Sequence, residues 1–184
     1  ELFLKGGRSY VHGTTIFQEL LEAALAWHVP GPEIKVSSFK VTAEVTRQAK
    51  VVPASATRRS QASLELAWNG GRAALALEEQ EGPPVTQTRP GREQELVPED
   101  PEPAGTYAGL ARLQAVEDIY SFMEAVVEAN KRLHLVTAAR EGLGAPRVRW
   151  VFLRGLEPEP GPWPAGCVLE ARFTHRGSRW MEGR

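Results

Sequence analysis

Residues Ser9–His28 read SYVHGTTIFQELLEAALAWH, and the fold depends on how this stretch is read. Ile16, Phe17, Leu20, Leu21, Ala24 and Trp27 recur at the spacing of one buried helical stripe. Thr14 or Thr15 suits the N-cap, and Gln18 follows Thr15 by three residues, in capping-box register. A helix is therefore predicted from just after His12, and Val29-Pro30-Gly31-Pro32 ends it because proline lacks the N–H and restrains its predecessor. His12 is thereby placed beside unpaired backbone donors at the positive end of a buried helix, where a thioester carbonyl or another developing anion can bind.

On its N-terminal side, Leu2-Phe3-Leu4 is a short apolar run closed by Lys5-Gly6-Gly7, which predicts a brief strand. On the other side, Glu33 to Val52 is rich in Val, Thr and Phe, and its alternation slips phase near Ser37-Ser38, as a bulge requires. Ser63 to Trp68 places Leu64, Leu66 and Trp68 on one face, Asn69-Gly70 is a hairpin signal, and the return strand from Arg72 to Glu79 turns Ala73, Leu75 and Leu77 inward. Residues 82–106 carry six prolines and little apolar material, the composition of an extended linker.

A second amphipathic helix is expected from about Leu113 to Arg140, with Val116, Ile119, Tyr120, Met123, Val126, Val127, Asn130 and Leu133 inward. Glu117 and Asp118 near its start and Lys131, Arg132 and Arg140 near its end suit the macrodipole. Arg147 to Leu156 and Cys167 to Thr174 have strand character, and Arg176-Gly177 turns the chain into Ser178-Arg179-Trp180-Met181. The halves show a weak internal repeat: Phe17-Gln18-Glu19 aligns with Phe122-Met123-Glu124, and at the same offset Leu64-Glu65 aligns with Leu169-Glu170. This divides the chain into an N-terminal repeat (1–81), a Pro-rich linker (82–106) and a C-terminal repeat (107–184) whose last strand begins close to Arg184, so that its sheet is short or truncated.

Composition excludes several classes. A net charge of −1 gives no electrostatic case for nucleic acid or an anionic membrane surface. No apolar run approaches the roughly 20 residues that span a bilayer. Cys167 is the one cysteine, so an intramolecular disulfide is impossible and a cytoplasmic location is the simpler expectation. His12, His28, His134 and His175 lack metal-ligand spacing, so neither a metal nor a cofactor is expected. Neither a nucleophile elbow nor a phosphate-binding loop is present.

The run from Pro158 through Pro164-Ala165-Gly166-Cys167-Val168-Leu169-Glu170-Ala171, followed by Arg176-Gly177-Ser178-Arg179-Trp180, resembles strands of hotdog-fold thioesterases and dehydratases. The implied class is α+β: two hotdog-like repeats, each a long central helix wrapped by a curled antiparallel sheet, forming a double hotdog. The resemblance implies an enzyme acting on acyl-CoA or acyl-carrier-protein thioesters, and a homodimer is an accompanying expectation. In the dehydratases a histidine near one central helix works with an acid on the other. Here His12 takes the first position and would move the α-proton, Asp118 would handle the hydroxyl, and Gly13 with Thr14 would contact the oxyanion. The chain departs from the dehydratase pattern by lacking the glycine and proline that follow the histidine. Hotdog thioesterases instead activate water with a carboxylate, which brings in Glu19, Glu22 or Glu124, and Trp27 or Trp180 would line an acyl tunnel.

Each of these residues has a plainer role open to it. A histidine before a helix is often a hydrogen-bonded structural residue, an aspartate suits any helix start, and Glu19 and Glu22 fit a solvated face. A buried glutamate would be costly and therefore informative. The functional alternative to an enzyme is a noncatalytic hotdog serving as an acyl-binding or assembly module.

Overall fold

A computed structural model describes residues 2–28, 34–55, 60–105, 108–140, 142, 152–156, 164–176 and 180–183. The protein is mixed α and β and divides into two compact units, Glu1–Gly91 with Trp150–Pro160, and Arg92–Arg149 with Gly161–Arg184. None of its described helices is long and apolar enough to cross a membrane.

In the first unit, helix α1 (Gly13–Trp27) packs on an antiparallel sheet built from β2 (Lys35–Val41), β3 (Arg47–Pro53), β4 (Ala62–Trp68), β5 (Gly71–Pro84) and β9 (Phe152–Leu156). The strand order is β3-β5-β4-β2-β9. Ile16, Phe17, Leu20 and Leu21 of α1 are buried together with Val36, Leu64, Leu66, Leu75 and Leu77 of the sheet, and Phe17 meets Phe39 edge-on at 5.4 Å. The register shift between Val36 and Ser38 is the bulge expected from the slipped alternation. Trp68 pairs with Gly71 across Asn69-Gly70, and the turn depends on Gly70 at φ +90, since Asn69 keeps a negative φ.

Three expectations for α1 need correction. No capping box forms: His12 is the N-cap residue and makes no side-chain cap bond, while Thr14 and Thr15 are already inside the first turn. The Gln18 amide instead donates to Glu22 at 2.7 Å. Trp27, expected on the buried stripe, is 50% exposed at the helix C-terminus. Burial of four large side chains at about 1.5–3 kcal/mol each exceeds the ~1 kcal/mol that a cap contributes, so packing rather than capping holds this helix.

The proline-rich stretch 82–106 has structure in both units. Val85 is buried and its N–H donates to the Thr46 carbonyl at 2.8 Å, and β6 (Thr88–Arg89) pairs in parallel with β1 (Leu4–Lys5). Beyond Gly91, α2 (Glu93–Leu96) leads to β7 (Glu102–Gly105), and Leu96 and Val97 enter the core of the second unit.

That second unit joins β7 to β8 (Ala108–Arg112), β10 (Val168–Arg176) and β11 (Trp180–Gly183), in the order β11-β10-β8-β7. Its helix α3 (Ile119–Arg140) packs on β8 and β10. The helix starts six residues later than expected, and the Leu113 carbonyl, which a helix from Leu113 would bond to the next turn, accepts the Gly166 N–H at 2.8 Å instead. Leu113 N–H donates to Cys167 O and Gln114 N–H to Leu96 O. Its buried face is also rotated from the apolar stripe. Ala125 and Ala129 lie in the core, Glu124 and Glu128 are buried beside them, and Val126 and Val127 are only half-buried. Strand β9, in the stretch read as part of the second repeat, pairs instead with β2 in the first unit. The part of that stretch from 143 to 151 lies outside the described residues, as does the turn at 177–179.

Candidate functional site

The start of α1 gathers the polar residues. His12 is half-buried at the N-cap, with Nδ1 2.9 Å from Thr14 Oγ1. Lys5, at the end of β1, is only 2% exposed, and its ammonium donates to the same Thr14 oxygen at 2.9 Å. Burying an ammonium is expensive, so its placement against the first turn is a strong constraint on this corner of the unit. Thr15 is fully buried, and its hydroxyl makes no hydrogen bond among the described residues. Ile16 N–H closes the first helical turn on His12 O at 3.1 Å, which leaves the N–H groups of Gly13, Thr14 and Thr15 with no carbonyl partner within the helix.

Gly13 has no structural need to be glycine among the described residues. Its φ is not positive, and an added Cβ would meet nothing within 4 Å. Glycine in a helix costs roughly 1 kcal/mol relative to alanine. Here that cost leaves open space beside the backbone donors of the first turn.

Asp118 belongs to the second unit, where it is exposed and caps α3: its Oδ1 accepts the Ser121 N–H at 2.7 Å and the Ser121 hydroxyl. Glu22 is exposed and bonded to Gln18, whereas Glu19 is half-buried. Trp27 is fourteen residues along α1 from Gly13, about 21 Å at helical rise. The side chain of Trp180 lies outside the described residues.

Glu124 is one of the buried glutamates of the second unit, 1% exposed. Its carboxylate accepts from Tyr120 Oη at 2.8 Å and from Arg92 Nε at 3.1 Å. Arg92 also donates to Ser121 Oγ at 2.7 Å, so one arginine ties α2 to the first turn of α3. Burial works against the Arg92 charge, but the hydrogen bond and charge of Glu124, with Asp118 and Tyr120 adding, raise its pKa above the ordinary value. Glu128 is similarly held by Lys131 at 3.0 Å and Arg132 at 2.9 Å. Both glutamates therefore serve as anchors of ion pairs. Cys167 is half-buried with a free thiol. Among the described residues no group of three or more His, Cys, Asp or Glu is placed to hold a metal ion.

Sequence reasoning missed Lys5. It was read as the residue that ends a strand, and lysine is so seldom buried that local sequence carries no sign of this role. No protein-family model, curated protein or solved structure matches the chain.

Proposed function

We propose that the first unit is a hotdog-like domain and the chain a double hotdog that processes acyl-CoA or acyl-carrier-protein thioesters, by hydration and dehydration or by hydrolysis. A buried helix laid on a five-stranded antiparallel sheet supports the fold reading. The functional reading is carried by one observation: a histidine bonded to Thr14 is the N-cap residue of α1, and its side chain makes no cap hydrogen bond there. In this reading the Gly13 and Thr14 N–H groups contact the thioester oxygen, and the open side of Gly13 admits it. His12 is the titratable partner of the reaction. Of the α1 carboxylates, half-buried Glu19 is the better candidate to activate water, since Glu22 is exposed. Asp118 is accounted for as the cap of α3, so no step is assigned to it.

The test is an assay of crotonyl-CoA hydration and of a panel of acyl-CoA hydrolyses. His12→Ala is expected to lower turnover roughly 100-fold or more, the contribution of a positioned acid or base. Unchanged turnover would remove His12 from the mechanism. Failure to turn over any thioester would assign the chain to the noncatalytic alternative, an acyl-binding or assembly module.

A further inference from the structure

We infer that the first turn of α1 is a two-state device: the helix starts either at Gly13, as described above, or at Ile16, with Thr15 as its N-cap and Gln18 closing a capping box. The device rests on the helix alone, and its consequence for chemistry rests on the acyl-thioester reading.

The start at Gly13 serves three groups poorly. His12, its N-cap residue, makes no side-chain cap bond. The Thr15 hydroxyl is sealed from solvent and has no hydrogen bond among the described residues. Gly13 is a weak helix former where an added Cβ would meet nothing within 4 Å. A start at Ile16 relieves all three. Thr15 then becomes extended, as its β-branched side chain favours, its hydroxyl accepts the Gln18 N–H, and the Gln18 side-chain carbonyl accepts the Thr15 N–H. For this Gln18 gives up one exposed bond to Glu22 at 2.7 Å, and Gly13 leaves the helix. Against the change stand three helical rungs, closed by Ile16, Phe17 and Gln18, and the burial of Thr14, whose hydroxyl accepts from Lys5 at 2.9 Å. Three bonds are exchanged for two and a relieved hydroxyl, so the longer helix is the major state and the shorter one lies close above it.

The two starts differ at the candidate site. With the helix from Gly13, His12 and the Gly13 and Thr14 N–H groups stand together at its mouth, whereas with the helix from Ile16 they belong to the preceding loop. In the acyl-thioester reading the turn is therefore a gate. A thioester oxygen on those N–H groups engages the longer helix alone, and it winds the turn by its preference for that state.

Amide hydrogen exchange in the full chain, resolved by NMR, tests the device without a substrate. Ile16 and Phe17 are expected to exchange as a pair, roughly tenfold or more faster than Leu20 and Leu21, because only the first two lose their partners in the shorter helix. Gln18→Ala removes the box and is expected to raise protection of Ile16 and Phe17 about fivefold, the size of one cap. Gln18→Glu keeps the box and sets a like charge against Glu22 in the longer helix, so it should lower that protection. Simple fraying gives the opposite sign for Gln18→Glu, since an acidic residue near a helix start favours winding. Thr15→Val, of similar volume, should raise protection at Ile16 and Phe17, and Thr15→Ser should retain the parent pattern. Equal protection from Ile16 to Leu21 in the unsubstituted chain overturns the inference and needs no variant. Gln18 variants that leave protection unchanged or move it the other way overturn it as well. The paired exchange in a chain that processes no thioester upholds the device and removes its role as a gate, while turnover with equal protection overturns the device and leaves the enzymatic reading standing.

Discussion

Glu79 shows how much one side chain can organise. Its Oε1 accepts the backbone N–H groups of Thr46 and Arg47, both at 2.7 Å, and the Thr46 hydroxyl at 3.1 Å, beside the register shift of β3 against β5. Burial raises its pKa, but these hydrogen bonds and the Arg47 charge outweigh that, and the carboxyl lies below its ordinary 4.5. The folded state thus holds Glu79 ionised at a pH where the unfolded chain has begun to protonate it. Its stabilisation is complete above the unfolded value and is lost as pH falls through the folded one. Glu79→Gln is expected to lower stability at neutral pH by about 1–3 kcal/mol and to flatten the acid limb in urea titrations. His134 runs on the same sign from a different cause. Burial lowers its pKa below 6.5, only partly opposed by its hydrogen bond to Asn130 O at 2.8 Å, so the folded state prefers the neutral ring. Stability should fall as pH drops below 6.5 toward the folded value, and His134→Gln should remove that part of the slope. Neither role is legible in the sequence, because the Glu79 partners lie more than thirty positions away and the burial of His134 is set by tertiary packing.

At the level of elements, the two long helices differ in how openly their sequences declare a buried face. The α1 stripe matched the buried set from Ile16 to Ala24 because large aliphatic residues dominate it. In α3 the buried face includes alanines and ion-paired glutamates, and the apolar periodicity pointed partly to half-buried valines. Close approach explains why small residues win there: a Cβ on Gly109 of β8 would come within 2.5 Å of Leu133 Cδ1. Leu133 is itself 2% exposed and has little room to move. Gly109→Ala is therefore expected to destabilise by about 1–3 kcal/mol, read as a lower urea midpoint with an unchanged slope. Arg92→Met takes the cation away from the buried Glu124 carboxylate and should cost about 1–3 kcal/mol, less than for a fully buried pair because the Arg92 side chain is 53% exposed. If the cost arises from the stranded charge, Arg92→Met with Glu124→Gln should be more stable than Arg92→Met alone, and a double-mutant cycle measures this coupling.

For the whole molecule, the decisive feature is that each unit is built from two separated stretches of chain. Val36, Ser38, Phe39 and Lys40 of β2 pair with Leu156, Arg154, Leu153 and Phe152 of β9, more than a hundred positions away. Such contacts carry a large loop-closure cost and form late unless the rest of the sheet prepares the edge. Replacing Phe152–Leu156 with Gly and Ser residues is expected to expose β2 as a sheet edge. Hydrogen exchange should then show lost protection across Lys35–Val41, while protection persists in β4 and β5, which pair with each other. Equal loss throughout the sheet would show instead that β9 is needed for the first unit to fold at all.

The sequence by itself determined what short-range periodicity and turn chemistry can carry. It specified a helix after His12, the bulge near Ser38, the Asn69-Gly70 hairpin and a histidine at a helix mouth. Tertiary structure alone decided the rest. It joined β9 to the first sheet, gave the prolines of 82–106 two units to serve and buried Lys5 against Thr14. The physical reason is common to all three. Strand pairing across long separations and the burial of a charge are settled by partners distant in sequence, and neither leaves a local pattern.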